Sequence, residues 1–137
     1  MTAARYMLDT DIMSELIKNP RGLAAMKARE RRDELCTSII VASELRYGCA
    51  RSGSVPLLRK AEDLLDEIGV VAFDVTADAD YGRIRRELEL AGQPIGANDL
   101  LIAAHARCLK LTLVTANIRE FSRVGGLAIE NWAERPG

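Results

Sequence analysis

The chain has 137 residues, 48% of them hydrophobic, and its 19 Lys and Arg against 20 Asp and Glu leave a net charge of -1. One compact domain with a full core is expected, and the near-zero charge excludes a protein drawn onto nucleic acid by its overall field. The 3 cysteines form no C-x-x-C pair, and no apolar run approaches the roughly 18 residues of a membrane span, so we expect a soluble, cytoplasmic protein.

Strand and helix patterns alternate along the chain, which predicts a three-layer α/β/α sandwich around a mainly parallel sheet of about five strands. The predicted strands are residues 6–9, 34–38, 70–75, 111–115 and 127–130. The predicted helices are residues 11–19, 20–33, 39–51, 55–69, 77–92 and 98–110. Thr37 or Ser38 is expected to cap the third helix, and Gly69 and Gly92 to close the fourth and fifth.

Polar side chains directly follow two of the predicted strands. In open parallel sheets, ligands bind at this edge, beyond the carboxyl ends of the strands. Asp9 ends the first strand, and Asp11 follows it before a helical pattern begins. The fourth strand runs into the sequence TANIREF, which delivers Asn117 and Glu120 to the same edge. These side chains are therefore expected to lie close together.

Two further acids lie in helices. The helical neighbours of Glu44 are largely apolar, so its carboxylate is expected at an internal position. Asp99 lies in the first turn of a helix whose body, residues 100–104, is apolar and therefore expected to be internal. The positive end of that helix favours an ionised carboxylate at Asp99.

Each of these residues also has a purely structural explanation. Asp9 and Asp11 are typical of turn or N-cap positions, and Asn98 or Asp99 would serve as a cap equally well. Glu44 would pair with Arg46 or another base at a half-exposed position. His105, the only histidine, lies in an apolar helix and is expected to be a packed side chain rather than a ligand or base.

The structural explanations account for each acid alone. They do not predict that Asp9, Glu44 and Asp99 should all lie at internal or strand-end positions in three separate segments. Carboxylates gathered in this way require a cation, and Mg²⁺ or Mn²⁺ prefers oxygen ligands. Such a site would activate water for hydrolysis of a phosphodiester, without a serine, cysteine or histidine in the chemistry. No P-loop or dinucleotide fingerprint is present to indicate a nucleotide cofactor.

The segments YMLDTDIMSEL, TSIIVASELRYG, PIGANDLLIAAHA and LVTANIREFSRVGGLAIENW together resemble the PIN-domain ribonucleases, specifically the VapC-type toxins of bacterial type II toxin-antitoxin pairs. The resemblance implies a single PIN domain over residues 1–137, with Asp9, Glu44 and Asp99 as the metal-binding acids. Many relatives carry an aspartate where this chain has Asn117, so Asn117 or Glu120 is expected to complete the catalytic set. Thr10 and Thr115 are candidates for orienting these carboxylates, and Asp11 stands where such toxins commonly have asparagine.

The resemblance also implies partners. They are an RNA substrate, a VapB-type antitoxin that inhibits the site, and a second copy of the chain in a homodimer, with DNA reached only through the antitoxin and no membrane. Apolar residues of the early helices would form a groove for an amphipathic partner helix if they are exposed, and the alternative is that they belong to the core. These residues are Ile12, Leu16, Leu23 and Met26.

Local positive charge must provide any RNA contact. Arg46 and Arg119 are the stronger candidates, ahead of Arg51 and Arg123, whereas Arg83, Arg85 and Arg86 lie in a mixed-charge helix typical of a solvated face. With only 4% aromatic residues an extended base-stacking surface is not expected, so RNA shape and an exposed single-stranded loop should determine specificity.

Three other functions remain compatible with the sequence. A PIN module that binds RNA without cutting it would also retain these acids. A haloacid-dehalogenase-like phosphatase would use the DTD sequence at residues 9–11, although its usual pattern differs at Met13. A receiver-like domain would need a phosphoacceptor after a central strand, where the chain offers Asp74.

Overall fold

The structure is a computed structural model and describes residues 4–133. Five parallel strands form its sheet, in the order β3-β2-β1-β4-β5. The strands are β1 (Tyr6–Leu8), β2 (Leu35–Ser38), β3 (Val70–Val71), β4 (Thr112–Val114) and β5 (Ile129–Glu130). Every strand pair is parallel, which confirms the predicted sheet.

Seven helices lie within residues 4–133. They are α1 (Thr10–Lys18), α2 (Leu23–Glu30), α3 (Ile39–Ser52), α4 (Val55–Ile68), α5 (Asp78–Leu90), α6 (Ala97–Cys108) and α7 (Ile118–Phe121), with a 3₁₀ turn at Arg32–Glu34. Because crossovers between parallel strands are right-handed, the connections after β1 and β2 cover one face of the sheet, and those after β3 and β4 cover the other. None of these helices is both long and apolar enough to cross a bilayer.

Helix boundaries follow the local chemistry of the chain. The Ser38 hydroxyl accepts a hydrogen bond from the Ile40 N–H and caps α3, as predicted. Gly69 ends α4 with a positive φ of 91°, a conformation that suits glycine. Gly92 likewise has a positive φ, of 66°, just after α5.

The prediction differs most from the structure in three segments, and the predicted strand 127–130 is shortened to β5. The predicted strand 70–75 stops at Val71, because only Val70 and Val71 pair with β2 before Asp74 forms a turn with the Thr76 N–H. The predicted helix 20–33 is reduced to α2 and the 3₁₀ turn, because Pro20 lies in a turn before Gly22. Helix α7, in TANIREF, was not predicted.

The apolar face expected on the early helices is only partly exposed. Ile12 is fully buried, so it belongs to the core and not to an exposed groove, because it lies on the side of α1 that covers the sheet. Leu16 and Leu23 are half-buried, and Met26 is 46% exposed.

Buried polar side chains are concentrated at one edge of the sheet. Within residues 4–133 they are Asp9, Thr37, Ser38, Thr115 and His105. The first four lie in or directly after β1, β2 and β4, at the carboxyl ends of these strands. The rest of the interior is an apolar cluster, so this edge is where the core becomes polar.

Candidate metal centre

Asp9 is held at the end of β1 by two hydrogen bonds. Its Oδ1 accepts from the Thr10 N–H at 2.8 Å, and its Oδ2 accepts from the Thr115 hydroxyl at 2.8 Å. The residue is the N-cap of α1, as the structural explanation predicted, yet it is only 5% exposed. Burial, reinforced by the negative charge of Asp11, raises the pKa of Asp9 to about 6.

Glu44 reaches the same edge from α3. Its Oε1 accepts from the Thr10 hydroxyl at 2.6 Å, and its Oε2 accepts from the Asn98 side-chain amide at 3.3 Å. Thr10 therefore joins two carboxylates, since its N–H binds Asp9 and its hydroxyl binds Glu44.

The expected surroundings of Glu44 need two corrections. Arg46 pairs with Glu62 of α4 at 3.2 Å, so it does not neutralise Glu44. Glu44 is half-buried rather than internal, because α3 buries Val41 and Leu45 while Tyr47 on its outer side is 67% exposed.

Asp99 occupies the first turn of α6, and the apolar body of that helix is internal, as predicted. Burial raises the pKa of Asp99 to about 7, and the nearby charge of Glu120 adds to the effect. Asp9 and Glu44 also contribute to this shift, which places all three acids in one electrostatic neighbourhood.

Asn117 and Glu120 lie beside Asp99. Glu120 accepts from the Gly96 N–H at 2.8 Å and from the Asn117 side-chain amide at 2.7 Å. The Gly96 bond is the main reason why the pKa of Glu120 is lowered, so Glu120 remains ionised next to Asp99. Glu120 therefore adds negative charge beside Asp99, and Asn117 holds its side chain there.

Asp11 braces the corner between β4 and α7. Its Oδ2 accepts from the Ala116 N–H at 3.0 Å, and burial raises its pKa. The Asn117 N–H donates to the Thr115 hydroxyl at 3.0 Å, and that hydroxyl donates to Asp9. This corner of the chain is thus tied to both aspartates of the DTD sequence.

The arrangement fits a hard divalent cation. Within residues 4–133, no Lys or Arg forms an ion pair with Asp9, Glu44 or Asp99. Burial and neighbouring carboxylates raise the pKa values of Asp9 and Asp99. The donors are all oxygen atoms, which suits Mg²⁺ or Mn²⁺. In the same range no three acidic, histidine or cysteine side chains converge closely enough to chelate an ion as they stand. Binding would therefore require a rotation of these carboxylates.

The positions of Thr10 and Thr115 agree with their predicted orienting role, but two contacts at this edge were not predicted. Neither the Gly96 N–H that binds Glu120 nor the bond between His105 and Ser38 has a signal in the sequence pattern. Both are long-range contacts, and only the fold brings their partners together.

Most of the candidate RNA-binding arginines make contacts within the protein. Arg83, Arg85 and Arg86 pair with acids of α5, as expected for a solvated face. Arg123 donates to the Pro94 carbonyl oxygen at 3.0 Å. Arg119 is exposed beside Asn117 and forms no ion pair with any residue of the described part of the chain.

Comparison with known proteins agrees with this geometry. The PIN domain family matches residues 6–127. The chain is 38% identical over 131 residues to the tRNA(fMet)-specific endonuclease VapC of Shigella flexneri, covering 94% of this chain and 98% of that protein. It is also 38% identical to ribonuclease VapC2 of Rickettsia felis, covering 93% and 97%.

Solved structures show the same fold. VapBC2 from Rickettsia felis, bound to a DNA fragment from its promoter, superposes with a TM-score of 0.85 at 36% identity and covers 93% of this chain and 98% of that one. DNA-bound VapBC from Salmonella typhimurium superposes with a TM-score of 0.86 at 34% identity and covers 94% of this chain and 98% of that one. The chain therefore belongs to the PIN domain family, in its branch of VapC ribonucleases.

Proposed function

We propose that the protein is a metal-dependent endoribonuclease that acts as the toxin of a toxin-antitoxin pair. One observation carries the proposal. Asp9, Glu44 and Asp99 reach one sheet edge from three elements, with no Lys or Arg paired to them in residues 4–133, in a chain of the VapC branch. Carboxylates arranged in this way bind a divalent cation more readily than they serve the fold.

Mg²⁺ is the proposed cation, with Mn²⁺ as a substitute, and Asp9, Glu44 and Asp99 would hold it. When bound, the cation supplies Lewis acidity, which makes water nucleophilic and neutralises charge on the phosphate. Thr10 and Thr115 orient the carboxylates by donating to one oxygen each of Glu44 and Asp9. Glu120, kept ionised by Gly96, adds negative charge beside Asp99.

RNA would approach across the edge where β1 and β4 end. Arg119 follows Asn117 and is exposed, so its guanidinium is placed to meet a phosphate near the acids. Two of the relatives, from Shigella flexneri and Salmonella typhimurium, are described as specific for tRNA(fMet). A structured RNA with an exposed loop is therefore the substrate class that we propose, and initiator tRNA is the first one to test.

The antitoxin would inhibit the site through a groove that begins at the acids. A cavity of about 250 Å³ lies between α1, α3 and α4, and its lining includes Thr10 and Glu44 together with the apolar residues Ile17, Leu45 and Leu57. A second cavity of about 420 Å³ follows between α1, α2 and α4, where Arg29 and Arg32 lie at the rim. This combination suits an amphipathic partner segment that ends near Glu44.

The remaining proposals concern assembly and compartment. We propose a single PIN domain over residues 1–137, a homodimer, contact with DNA only through the antitoxin, and a cytoplasmic location. The family match over residues 6–127 supports the first of these. The three free cysteines, Cys36, Cys49 and Cys108, suit a reducing compartment.

The alternative functions are less well supported. Asp74 is exposed and binds the Thr76 N–H and hydroxyl, so it forms a turn rather than a phosphoacceptor site. Asp11 faces the backbone of Ala116, which differs from the acid-base role that a phosphatase would require. An RNA-binding module without catalysis remains the second candidate, because Asn117 replaces an acid.

The decisive experiment is cleavage of initiator tRNA and of a structured RNA pool by antitoxin-free protein. Reactions in Mg²⁺, in Mn²⁺ and in chelator would be compared for wild type, Asp99→Asn and the control Asp66→Asn, which changes an exposed acid of α4. Discrete cuts that need metal, persist in Asp66→Asn and vanish in Asp99→Asn are expected. Metal-independent binding without cuts by any folded variant would favour the non-catalytic module.

A further inference from the structure

His105 forms a buried contact with the start of α3. It lies in α6, six residues after Asp99, and is 2% exposed. Its Nδ1 is 2.8 Å from the hydroxyl oxygen of Ser38, a residue that is fully buried. Ser38 is also six residues before Glu44. The pair therefore joins the two helices that carry Glu44 and Asp99.

The hydrogen bonds of the Ser38 hydroxyl indicate which nitrogen of His105 carries the proton. The Ser38 oxygen already accepts from the Ile40 N–H at 3.0 Å, and the structure offers its proton no acceptor in residues 4–133 other than Nδ1. Pairing the Ser38 proton therefore assigns Nδ1 as the acceptor, with the hydrogen of the ring on Nε2. Burial lowers the pKa of His105, opposed by the Ala72 carbonyl and the Asp74 carboxylate, so the ring is neutral at physiological pH.

Packing alone does not explain a histidine at this position. Its Nε2 is buried and has no well-aligned hydrogen-bond partner within the described residues, although the Ala72 carbonyl acts on the ring. Phe73 packs edge-on against the ring at 5.3 Å, an environment that leucine would fill without leaving a buried polar atom unpaired. What leucine could not provide is the acceptor for Ser38.

We propose that His105 is a positioning residue, which ties the cap of α3 to α6 and thereby sets the spacing of Glu44 and Asp99 for a divalent cation. Ser38 and Glu44 are six positions apart, as are Asp99 and His105, which corresponds to a helical rise of about 9 Å. A shift at the contact between Ser38 and His105 would therefore move both carboxylates. The direct link between these segments, from Asn98 to Glu44, is longer, at 3.3 Å. This inference rests on the proposed function, because it requires that the site bind a divalent cation.

The test compares two conservative variants of His105. His105→Asn keeps an acceptor near the position of Nδ1, whereas His105→Gln moves it towards Nε2. Leu35→Ala serves as a control for lost stability, because Leu35 is buried at the opposite end of β2 from Ser38. Mn²⁺ affinity is measured by calorimetry, thermal unfolding is measured in chelator, and the tautomer of the single histidine is read from its ¹⁵N chemical shifts.

We expect the wild type to show the Nε2–H tautomer. His105→Gln should weaken Mn²⁺ binding about tenfold, His105→Asn should stay within about threefold of wild type, and Leu35→Ala should lose stability but not affinity. Equal Mn²⁺ affinity in all four proteins, or an Nδ1–H tautomer, would overturn the positioning role and leave the metal site intact. A folded wild type that binds no Mn²⁺ would overturn the metal site as well, which distinguishes the two failures.

Discussion

Asp9 and Asp99 show how a single side chain serves both the fold and the site. Asp9 caps α1 and receives the Thr115 hydroxyl, while Asp99 lies at the positive end of α6. Both favourable settings are nevertheless outweighed by burial and by neighbouring carboxylates, since the pKa values rise to about 6 and about 7. The fold therefore disfavours the ionised forms of Asp9 and Asp99, and a bound cation would offset this cost.

Stability in chelator should fall as the pH rises from about 4 to about 7. An unfolded aspartate titrates near 3.9, whereas folding raises the pKa of Asp9 to about 6 and of Asp99 to about 7. The folded protein thus binds more protons in this window, and the stability that these groups contribute at low pH is lost as they ionise. Urea unfolding across this pH range measures the slope, and Asp99→Asn should flatten it. An identical slope in the variant would contradict the raised pKa.

Metal binding should have the opposite pH dependence. Because a cation binds the ionised carboxylates, Mn²⁺ affinity should increase as the pH rises from about 5 to about 7.5 and then level off. Calorimetry at several pH values would measure this change, with proton release on binding as a second readout. Affinity that is constant over this range would mean that Asp9 and Asp99 are not ligands.

At the scale of elements, the corner between β4 and α7 organises the site. Thr115 is fully buried, and its hydroxyl donates to Asp9 while it accepts from the Asn117 N–H. Asp11 holds the next residue, Ala116, and Glu120 reaches back to Gly96 before α6. One short segment therefore fixes groups from α1, β4 and α6.

Thr115→Val should lower Mn²⁺ affinity by about 10- to 100-fold while the protein stays folded. Valine has nearly the shape of threonine but cannot orient Asp9 or receive the Asn117 N–H. Thr112→Val on the same strand is the matched control, because Thr112 makes no side-chain hydrogen bond within the described residues. Calorimetry and thermal unfolding of both variants give the comparison, and equal affinities would remove Thr115 from the site.

How far the sequence predicts these elements depends on how local each signal is. The caps at Ser38 and Gly69 and the apolar body of α6 follow from residues close in the chain, and these predictions are confirmed. Helix α7 has only four residues, too few for a periodic pattern, so it was not predicted. The short β3 was overestimated because strand length depends on the neighbouring β2.

The candidate site shows the same difference between local signals and long-range contacts. Asp9, Glu44 and Asp99 could be selected from strand ends and apolar contexts, and the structure brings them to one edge. The hydrogen bonds from Thr10 to Glu44 and from Ser38 to His105 span 34 and 67 residues, and no local pattern encodes such pairs. Sequence therefore indicates the acids, while the contacts that orient them require the fold.

At the scale of the whole molecule, the groove from the acids to α2 allows the proposed inhibition to be tested separately from catalysis. Gly48 lines its first cavity, and a side chain added there would meet no atom within 4 Å, so it would project into the groove. Gly82 in α5 is equally unobstructed but lies outside that cavity. The two glycines are therefore a matched pair for testing where the antitoxin binds.

Gly48→Phe should weaken inhibition by the antitoxin at least tenfold, whereas Gly82→Phe should leave it unchanged. The bulky ring would occupy the space between α1, α3 and α4 that the inhibiting segment needs. Titration of RNA cleavage with purified antitoxin measures the effect. As a folding control, Gly48→Ala and Gly82→Ala should each stabilise the protein by up to about 1 kcal/mol through helix propensity. Undiminished inhibition of Gly48→Phe would place the antitoxin elsewhere.

The order of the strands also determines when the proposed catalytic site can form during synthesis of the chain. The bond between Thr115 and Asp9 joins residues 106 positions apart, because β1 pairs with β4 at the centre of the sheet. A ribosome adding about 5–20 residues per second therefore needs roughly 5–20 s after Asp9 before Thr115 exists. A chain terminated within that interval carries Asp9 without Thr115 and, when it stops early enough, without Asp99. Incomplete products would therefore lack part of the proposed metal centre, and the antitoxin would be needed mainly for the finished chain.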